Sequence, residues 1–399
     1  MRIEHGAGAS RIRPIRVCRI AVTPIHLTML LRQQIRFIVD AGIDYTLVSS
    51  PGSALDELAH TLSVRCHPIP MARTPNPPRD LVSLIVLTRF LARERFDVVH
   101  SSTPKAGLLA ALAGCTARVP VRIHTFTGQP WVELRGPMRW ISRQSDRLIG
   151  LLNTHTYADS PSQRVLLVNE SIVDAAKISV LGDGSISGVD LRRFDPAACV
   201  ARRSPLRRDL AIPESALVIT YVGRLAKEKG IVELVSAFRQ LRQRRNDLYL
   251  LFVGQSEPER DPLPSEVLAE ISNDRNMRSV GFVFDPEVYL AASDIFCLPS
   301  YREGFGSAVI EAGAMSLPTV ATRVTGLVDA VVEGETGMLV PPKDVAQLSD
   351  ALLTLIQSPE LRRRMGQAAQ RRARERFDAS AINQAVVDEY VRLVAKTKT

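Results

Sequence analysis

Two carboxylates and two cations are the residues of this chain whose types and spacing point most directly to chemistry. Glu303 and Glu311 flank a glycine-rich turn and the start of a helix, in Tyr301-Arg302-Glu303-Gly304-Phe305-Gly306-Ser307-Ala308-Val309-Ile310-Glu311. They lie near one face of that helix, roughly a dozen Å apart at ~1.5 Å per residue. This is too far for two carboxyls sharing a proton and suits the two ends of one elongated ligand. The Gly304-Phe305-Gly306 turn offers backbone N–H groups at a helix start, a setting that favours anions or hydroxyl-rich groups. Arg224 and Lys229 form the second pair. They follow Gly223 at the end of the apolar run Leu217–Val222, beside another helix start, where two cations and free N–H donors can converge on a diphosphate. One of the two glutamates could accept hydrogen bonds from ribose hydroxyls, as an acidic residue does in dinucleotide folds.

The elements that must position these groups alternate between strand and helix. Strands are expected at 20–23, 43–49, 64–69, 97–100, 121–126 and 178–181, with helices at 27–40, 80–93, 105–113 and 135–153 and a strand-helix unit over 154–168. A charged, Pro-containing and aperiodic segment, 195–213, reads as a linker. A second alternation follows, with strands at 217–222, 248–253, 279–283, 295–298 and 319–321, a short extended segment at 338–340, and helices at 230–244 and 345–357. This pattern predicts parallel βαβ units whose functional ends are the strand C-termini. The expected fold class is α/β, with two Rossmann-like domains facing each other across a cleft. The expected boundaries are a flexible extension over 1–15, a first domain over 16–200, a second over 201–377, and a last helix over 378–399 that packs back toward the first domain.

Composition narrows the function. The chain has 399 residues, is 45% hydrophobic and carries a formal charge of +9. Residues 1–200 hold about 24 Lys+Arg against about 16 Asp+Glu, so the excess is confined to the first half. A phosphorylated substrate or an anionic membrane surface would use it. Nucleic acid is not an expected partner: no helix-turn-helix, zinc-finger spacing or aromatic RNA-binding motif occurs, and aromatics are only 5%. The five cysteines are far apart and mostly in apolar runs, the pattern of free thiols in a reducing compartment. No apolar run is long enough to span a membrane, and no signal peptide is read at the N-terminus. A cytoplasmic protein, resting peripherally on the inner face of the plasma membrane, is expected. No metal-ligand spacing is present, so no metal and no cofactor are expected. A dehydrogenase is disfavoured because no Gly-x-Gly-x-x-Gly follows a strand.

Arg135, Arg139, Arg143 and Arg147 recur every four residues on one helix, with Trp131 and Trp140 at or beside it. Either they form a solvated face opposite a core of Ile141, Leu148 and Leu152, or they dock on anionic lipid with Trp at the headgroup level.

Val222-Gly223-Arg224-Leu225, Lys229-Gly230, Glu303-Gly304-Phe305-Gly306, Glu311-Ala312 and Glu333-Gly334-Glu335-Thr336-Gly337-Met338-Leu339-Val340 closely resemble retaining glycosyltransferases of family 4, with the GT-B fold. The resemblance spans essentially the whole chain. It implies a transferase that moves a hexose or N-acetylhexosamine from a nucleotide diphosphate sugar, foremost a UDP-sugar, bound by the second domain. By matching position, Arg224 and Lys229 would neutralise the diphosphate and Glu311 would hold the ribose. Glu303, with the Gly304, Phe305 and Gly306 backbone, would grip the sugar, and Gly223 and Ser307 would border it. His124 occupies the place where the family presents a histidine toward the donor sugar, although a lone histidine there is by itself more often structural. The Gly-rich loop that many members carry after the first strand is Thr23-Pro24-Ile25-His26 here, and a proline loop cannot offer the same N–H cradle. Thr23, His26 and Lys105 are therefore assigned to the acceptor side. The stretches His124–Trp131 and Leu181–Asp190 resemble a bacterial subgroup that builds exopolysaccharide, capsule or O-antigen on polyprenyl-diphosphate carriers. A nucleotide-sugar epimerase of the same fold and a non-catalytic nucleotide-sugar-binding protein are the alternatives.

Overall fold

Short apolar runs that end in Gly, Pro or Ser, each followed by a helix, leave adjacent strands free to pair only in parallel. In the computed structural model, which describes residues 13–258 and 261–397, this alternation builds two parallel sheets. The first contains β1 (Arg16–Ile20), β2 (Asp44–Ser49), β3 (Arg65–Pro68), β4 (Val98–Ser102), β5 (Val121–Phe126), β6 (His155–Ala158) and β7 (Ile178–Val180), in the order β3-β2-β1-β4-β5-β6-β7. Its helices are α1 (Pro24–Leu30), α2 (Arg32–Asp40), α3 (Ser53–Leu62), α4 (Pro77–Glu94), α5 (Pro104–Thr116), α6 (Gly136–Leu152) and α7 (Pro161–Asn169). The second half opens with α8 (Pro196–Asp209). Its sheet contains β8 (Leu217–Val222), β9 (Leu248–Val253), β10 (Met277–Ser279), β11 (Ile295–Leu298), β12 (Thr319–Thr322) and β13 (Gly337–Val340), in the order β10-β9-β8-β11-β12-β13. Around it lie α9 (Ile231–Arg242), α10 (Ser265–Asn273), α11 (Pro286–Ala291), α12 (Ser307–Ala314), α13 (Leu327–Ala330), α14 (Val345–Gln357) and α15 (Pro359–Arg376), and α16 (Ala379–Ala395) closes the chain.

Helices on both faces bury the central strands, which is why β8 and β11 read as continuous apolar runs and not as alternation. Each sheet reverses its strand order once, between β1 and β4 and between β8 and β11. Such switch points open a crevice at the carboxyl ends of the strands. In the first sheet the crevice is bordered by Thr23–His26 and Thr103–Lys105. In the second it is bordered by Gly223–Lys229 and Pro299–Gly306.

The segment 195–213 is not an aperiodic linker. Asp195 caps α8 by accepting from the Ala197 N–H at 3.2 Å, and Pro196 occupies the first turn. The helix shows no apolar stripe because arginines hold its inner side. Arg203 and Arg207 pair with Asp294 at 3.0 and 2.9 Å, and the buried Arg207 also donates to the carbonyls of Ala292, Glu214 and Ala216. α8 packs on α11 and so belongs to the second domain. The division between the domains therefore lies at 181–195, not at 200.

α16 packs on α2 of the first domain. The two segments that cross between domains are tied together where they pass, with Val189 N–H donating to Phe377 O at 2.7 Å and Ala379 N–H to Val189 O at 3.0 Å. Gly188 (φ +66°) is required there, because a Cβ would stand 2.7 Å from Phe377 O. Two further expectations shift. The helix over 27–40 is two helices that break at Leu31, which keeps Leu27, Leu31, Ile35 and Ile38 all buried. The strand at 279–283 is replaced by β10, because the chain leaves the sheet at Gly281 (φ +70°), which bridges Gly254 instead.

Candidate active site

At the β8/β11 switch point, Gly223 (φ +150°) follows β8 and hands the chain to Arg224, while Lys229 closes the turn that precedes α9. Lys229 Nζ contacts Glu303 Oε1 at 2.5 Å, and Ser300 donates to the same oxygen at 2.8 Å. The cation and the carboxylate that the sequence assigned to diphosphate and sugar are thus in direct contact. Arg224 pairs with Glu228 at 2.9 Å and with Glu257, and Arg302 joins Glu228 at 2.5 Å. Burial alone would raise the Glu228 carboxyl, but Arg302, Lys229 and Arg224 outweigh it and hold it down at about 2. An incoming diphosphate would enter a ready-made lattice of opposite charges, sharing or replacing these carboxylates. Sequence reasoning missed Glu228, Glu257 and Arg302. The i,i+4 step from Arg224 to Glu228 was legible, whereas Glu257 comes from beyond β9.

Glu311 sits on α12 in a different setting. Burial pushes its carboxyl up to about 7, against the charge of Arg193 and helped by that of Glu287. Arg193 itself pairs with Glu287 at 2.7 Å and donates to Phe284 O at 2.8 Å. Glu303 and Glu311 therefore face separate partners, as two ends of one groove require. Gly306 (φ +95°) forms the N-cap of α12 and precedes Ser307. The Phe305 ring is core, 5.1 Å from Phe377, so that only the backbone of Phe305 is left for a ligand.

The first domain closes on this turn. A Cβ on Gly304 would lie 2.7 Å from the Thr127 carbonyl carbon and 3.0 Å from Asp159 Oδ2, and one on Gly128 would lie 3.4 Å from Gly304 N. Ser162 accepts from the Gly326 N–H at 2.8 Å and donates its own N–H to Asp329 at 3.0 Å. Asp159 is buried against this seam. Desolvation, with the Glu303 charge second, raises its carboxyl to about 7. The sequence carried no signal for Asp159, since its place depends on the approach of the other domain.

His124 is not in the cleft. It is 1% exposed, contacts Ser101 Oγ at 2.9 Å, and packs edge-on to Phe126 beside Gly107 of α5. Burial, with Arg19 second, holds it neutral at about 3. The reason is position: His124 lies two residues inside β5, and the chain enters the cleft only at Thr127-Gly128. On the acceptor side, Thr23 is the N-cap of α1, and His26 Nε2 contacts Ser102 Oγ at 2.9 Å. Lys105 is not available to an acceptor, because its ammonium is held by Ala72 O, Thr74 O and Asp80 at 2.8, 2.6 and 2.6 Å, pinning the Pro-rich loop.

The four-arginine stripe is also divided. Arg143 pairs with Glu170 at 2.6 Å, and Arg147 donates to the Ser171 and Glu170 carbonyls. Trp131 is buried, donating to Asp146 at 2.7 Å, so it cannot reach a headgroup. Ile141, read as core, is exposed. Arg135, Arg139 and Trp140 (65% exposed) remain on an open face with Val132, Leu134, Met138 and Ile141. No helix among the described residues is long and apolar enough to cross a membrane.

Residues 202–372 match the family model "Glycosyl transferases group 1", and residues 29–184 match "Glycosyl transferase 4-like domain". The chain is 31% identical over 355 residues to the capsular polysaccharide biosynthesis glycosyltransferase CapM of Staphylococcus aureus, covering 88% of this chain and 91% of that protein. It is 26% identical to the UDP-Gal:alpha-D-GlcNAc-diphosphoundecaprenol alpha-1,3-galactosyltransferase of Escherichia coli, covering 80% of this chain and 82% of the relative. Among solved structures, the sucrose-phosphate synthase of Thermosynechococcus elongatus superposes with a TM-score of 0.80 at 22% identity, over 96% of this chain and all of that one. Anabaena HepE in complex with UDP and glucose superposes with a TM-score of 0.76 at 19% identity, over 94% and 99%. The likeness to these structures carries the fold: two Rossmann-like domains facing across a cleft. The two family models and the CapM relationship carry the rest, and the chain belongs to the family 4 glycosyltransferases.

Proposed function

We propose that this glycosyltransferase moves a hexose or N-acetylhexosamine from a UDP-sugar to a saccharide on a polyprenyl-diphosphate carrier, with retention of configuration and without a metal. The observation that carries this reading is the contact between Lys229 and Glu303 at the β8/β11 switch point, with Arg224 beside it. In this reading Glu303 orients the sugar hydroxyls while Lys229 and Arg224 meet the charge that builds on the departing diphosphate. Interactions that strengthen as the leaving group departs accelerate the step, whereas equal binding of donor and transition state does not. Glu311 holds the ribose at the far end. Glu303 is engaged by Lys229 and Ser300, and in this reading the leaving phosphate oxygen takes the acceptor proton on the same face. The relatives named for capsular polysaccharide and for a diphosphoundecaprenol-linked sugar support the acceptor class and a place in surface polysaccharide assembly.

The test is a panel of UDP- and GDP-sugars, each incubated with and without a lipid-linked saccharide extract. Nucleotide release and sugar transfer that depend on the extract are expected. Formation of an epimer without acceptor would instead make the protein an epimerase.

A further inference from the structure

Beneath the acceptor side of the first domain lies a charge that the transfer reaction does not use. Arg19 is the fourth residue of β1. Its register partner on β4 is His100, and its side chain lies under α2 and α16 with 0% exposure. Nη2 makes one long contact, 3.4 Å to Ser102 Oγ, while Nε and Nη1 have no hydrogen-bond partner. No carboxylate pairs with Arg19 among the described residues. The titratable groups that feel its field are the imidazoles of His26, His100 and His124 and the phenols of Tyr45 and Tyr390, all of which burial favours in the neutral form.

Arg19 lines a chamber of about 10 Å³, room for the centre of one water-sized particle, together with Gln34, His100, Thr125, Asp159 and Ser185. The neighbouring polar groups already have partners: Gln34 donates to Ile186 O at 2.9 Å and to Asn383 at 3.1 Å, and His100 contacts Thr125 and Tyr390 at 2.8 and 2.7 Å. Asp159 does not answer Arg19. Its Oδ1 is itself without a partner, its Oδ2 faces the donor turn at Gly304, and burial favours its neutral acid. A buried, unpaired cation is among the most costly features a fold can contain. A water could accept from the two orphaned N–H groups but would leave the charge unanswered.

We infer that the chamber is a binding site for a single small anion of the chloride class, held by Arg19 Nε and Nη1. Room for the centre of one water-sized particle suits a monatomic anion. Ser185 and Ile186 of the first crossing segment and Val386 of α16 also line the chamber. The anion therefore touches both connections between the domains and fastens α16 to the first sheet.

Two measurements test this. In crystals of the intact protein grown in bromide, an anomalous peak is expected beside the Arg19 guanidinium; an empty or water-filled chamber there overturns the inference. In solution, replacing isethionate by chloride at constant ionic strength is expected to raise Tm by about 2–4 °C. Arg19→Met, which keeps the length and removes the charge, is expected to abolish that rise. An equal chloride response in the variant overturns the site, and should the variant not fold, the bromide peak in the unaltered protein decides.

Discussion

At the scale of single residues, the proposed function divides the charged groups into those that would meet charge as it develops and those that would hold the donor throughout. Lys229→Ala or Arg224→Ala is expected to lower kcat by about 10²–10³-fold, the cost of removing one preorganised group aimed at developing charge. KM for the donor should change far less, and steady-state kinetics with the identified donor would check the split. Glu311→Ala should weaken binding of the free nucleotide by about 1–3 kcal/mol, read by calorimetry. Because burial raises the Glu311 carboxyl to about 7, the charged form that would accept from ribose in the proposed function grows in as pH rises through that value. Nucleotide affinity of the unaltered protein should therefore increase from pH 6 to pH 8, and that increase should vanish in Glu311→Gln. The places of Arg224, Lys229 and Glu303 at the strand ends were legible because each sits beside a glycine, and that of Glu311 because it lies in the helix that Gly306 opens. His124 could not be placed by its motif, because it lies inside β5 with its ring by Gly107 and Ser101. Phe126 closes the strand, so Thr127 enters the cleft and His124 points into α5.

At the scale of elements, the approach of two backbones defines the cleft. Gly304 has an ordinary φ, so its need for glycine comes from Thr127 and Asp159 across the seam. Gly304→Ala should leave Tm almost unchanged while lowering kcat/KM by about 10²-fold, since an ångström of misplacement between reacting groups has that effect. A loss of stability equal to the loss of activity would show that the glycine serves folding. The strands β8, β9 and β11 and helix α14 could be read to the residue because buried parallel strands are apolar throughout and α14 has a clear stripe. α8 could not, since its inner face is made of Arg203 and Arg207, whose partner Asp294 is remote in sequence. The basic stripe of α6 shows the same limit: periodicity placed the arginines on one face, and only the fold assigns Arg143 and Arg147 to the turn after α7. If the open part of that face rests on anionic lipid, changing Arg135 and Arg139 to Ser and Trp140 to Ala should reduce co-sedimentation with anionic vesicles several-fold. Undiminished binding would remove α6 from the membrane contact.

At the scale of the whole molecule, buried acids and buried histidines set opposing trends with pH. Asp146, Asp159 and Glu311 are raised to about 7, chiefly by burial. Their contribution to stability is complete below about 4 and is lost as pH rises through 7. His26 and His124 are lowered to about 4 and about 3, and His100 is lowered as well, again chiefly by burial. Their contribution is complete above about 6.5 and is lost as pH falls. The two trends offset each other between about pH 4 and 6.5, so Tm should be nearly flat there. Asp146→Asn, which can still accept from Trp131, should make Tm rise with pH across that window, and His124→Gln should make it fall; scanning calorimetry would show either slope. The α/β alternation and the family motifs made the two-domain plan legible, but the 181–195 crossing and the closed seam depend on contacts between residues more than a hundred positions apart. The proposed function rests on Lys229 and Glu303 acting on a nucleotide sugar at the second domain's switch point. Its most direct test is nuclear magnetic resonance of the product formed from the identified donor and a lipid-linked saccharide. The expected result is a glycoside with the donor's anomeric configuration and stoichiometric nucleoside diphosphate, both lost in Lys229→Ala. An inverted product, or full turnover in that variant, would contradict the account.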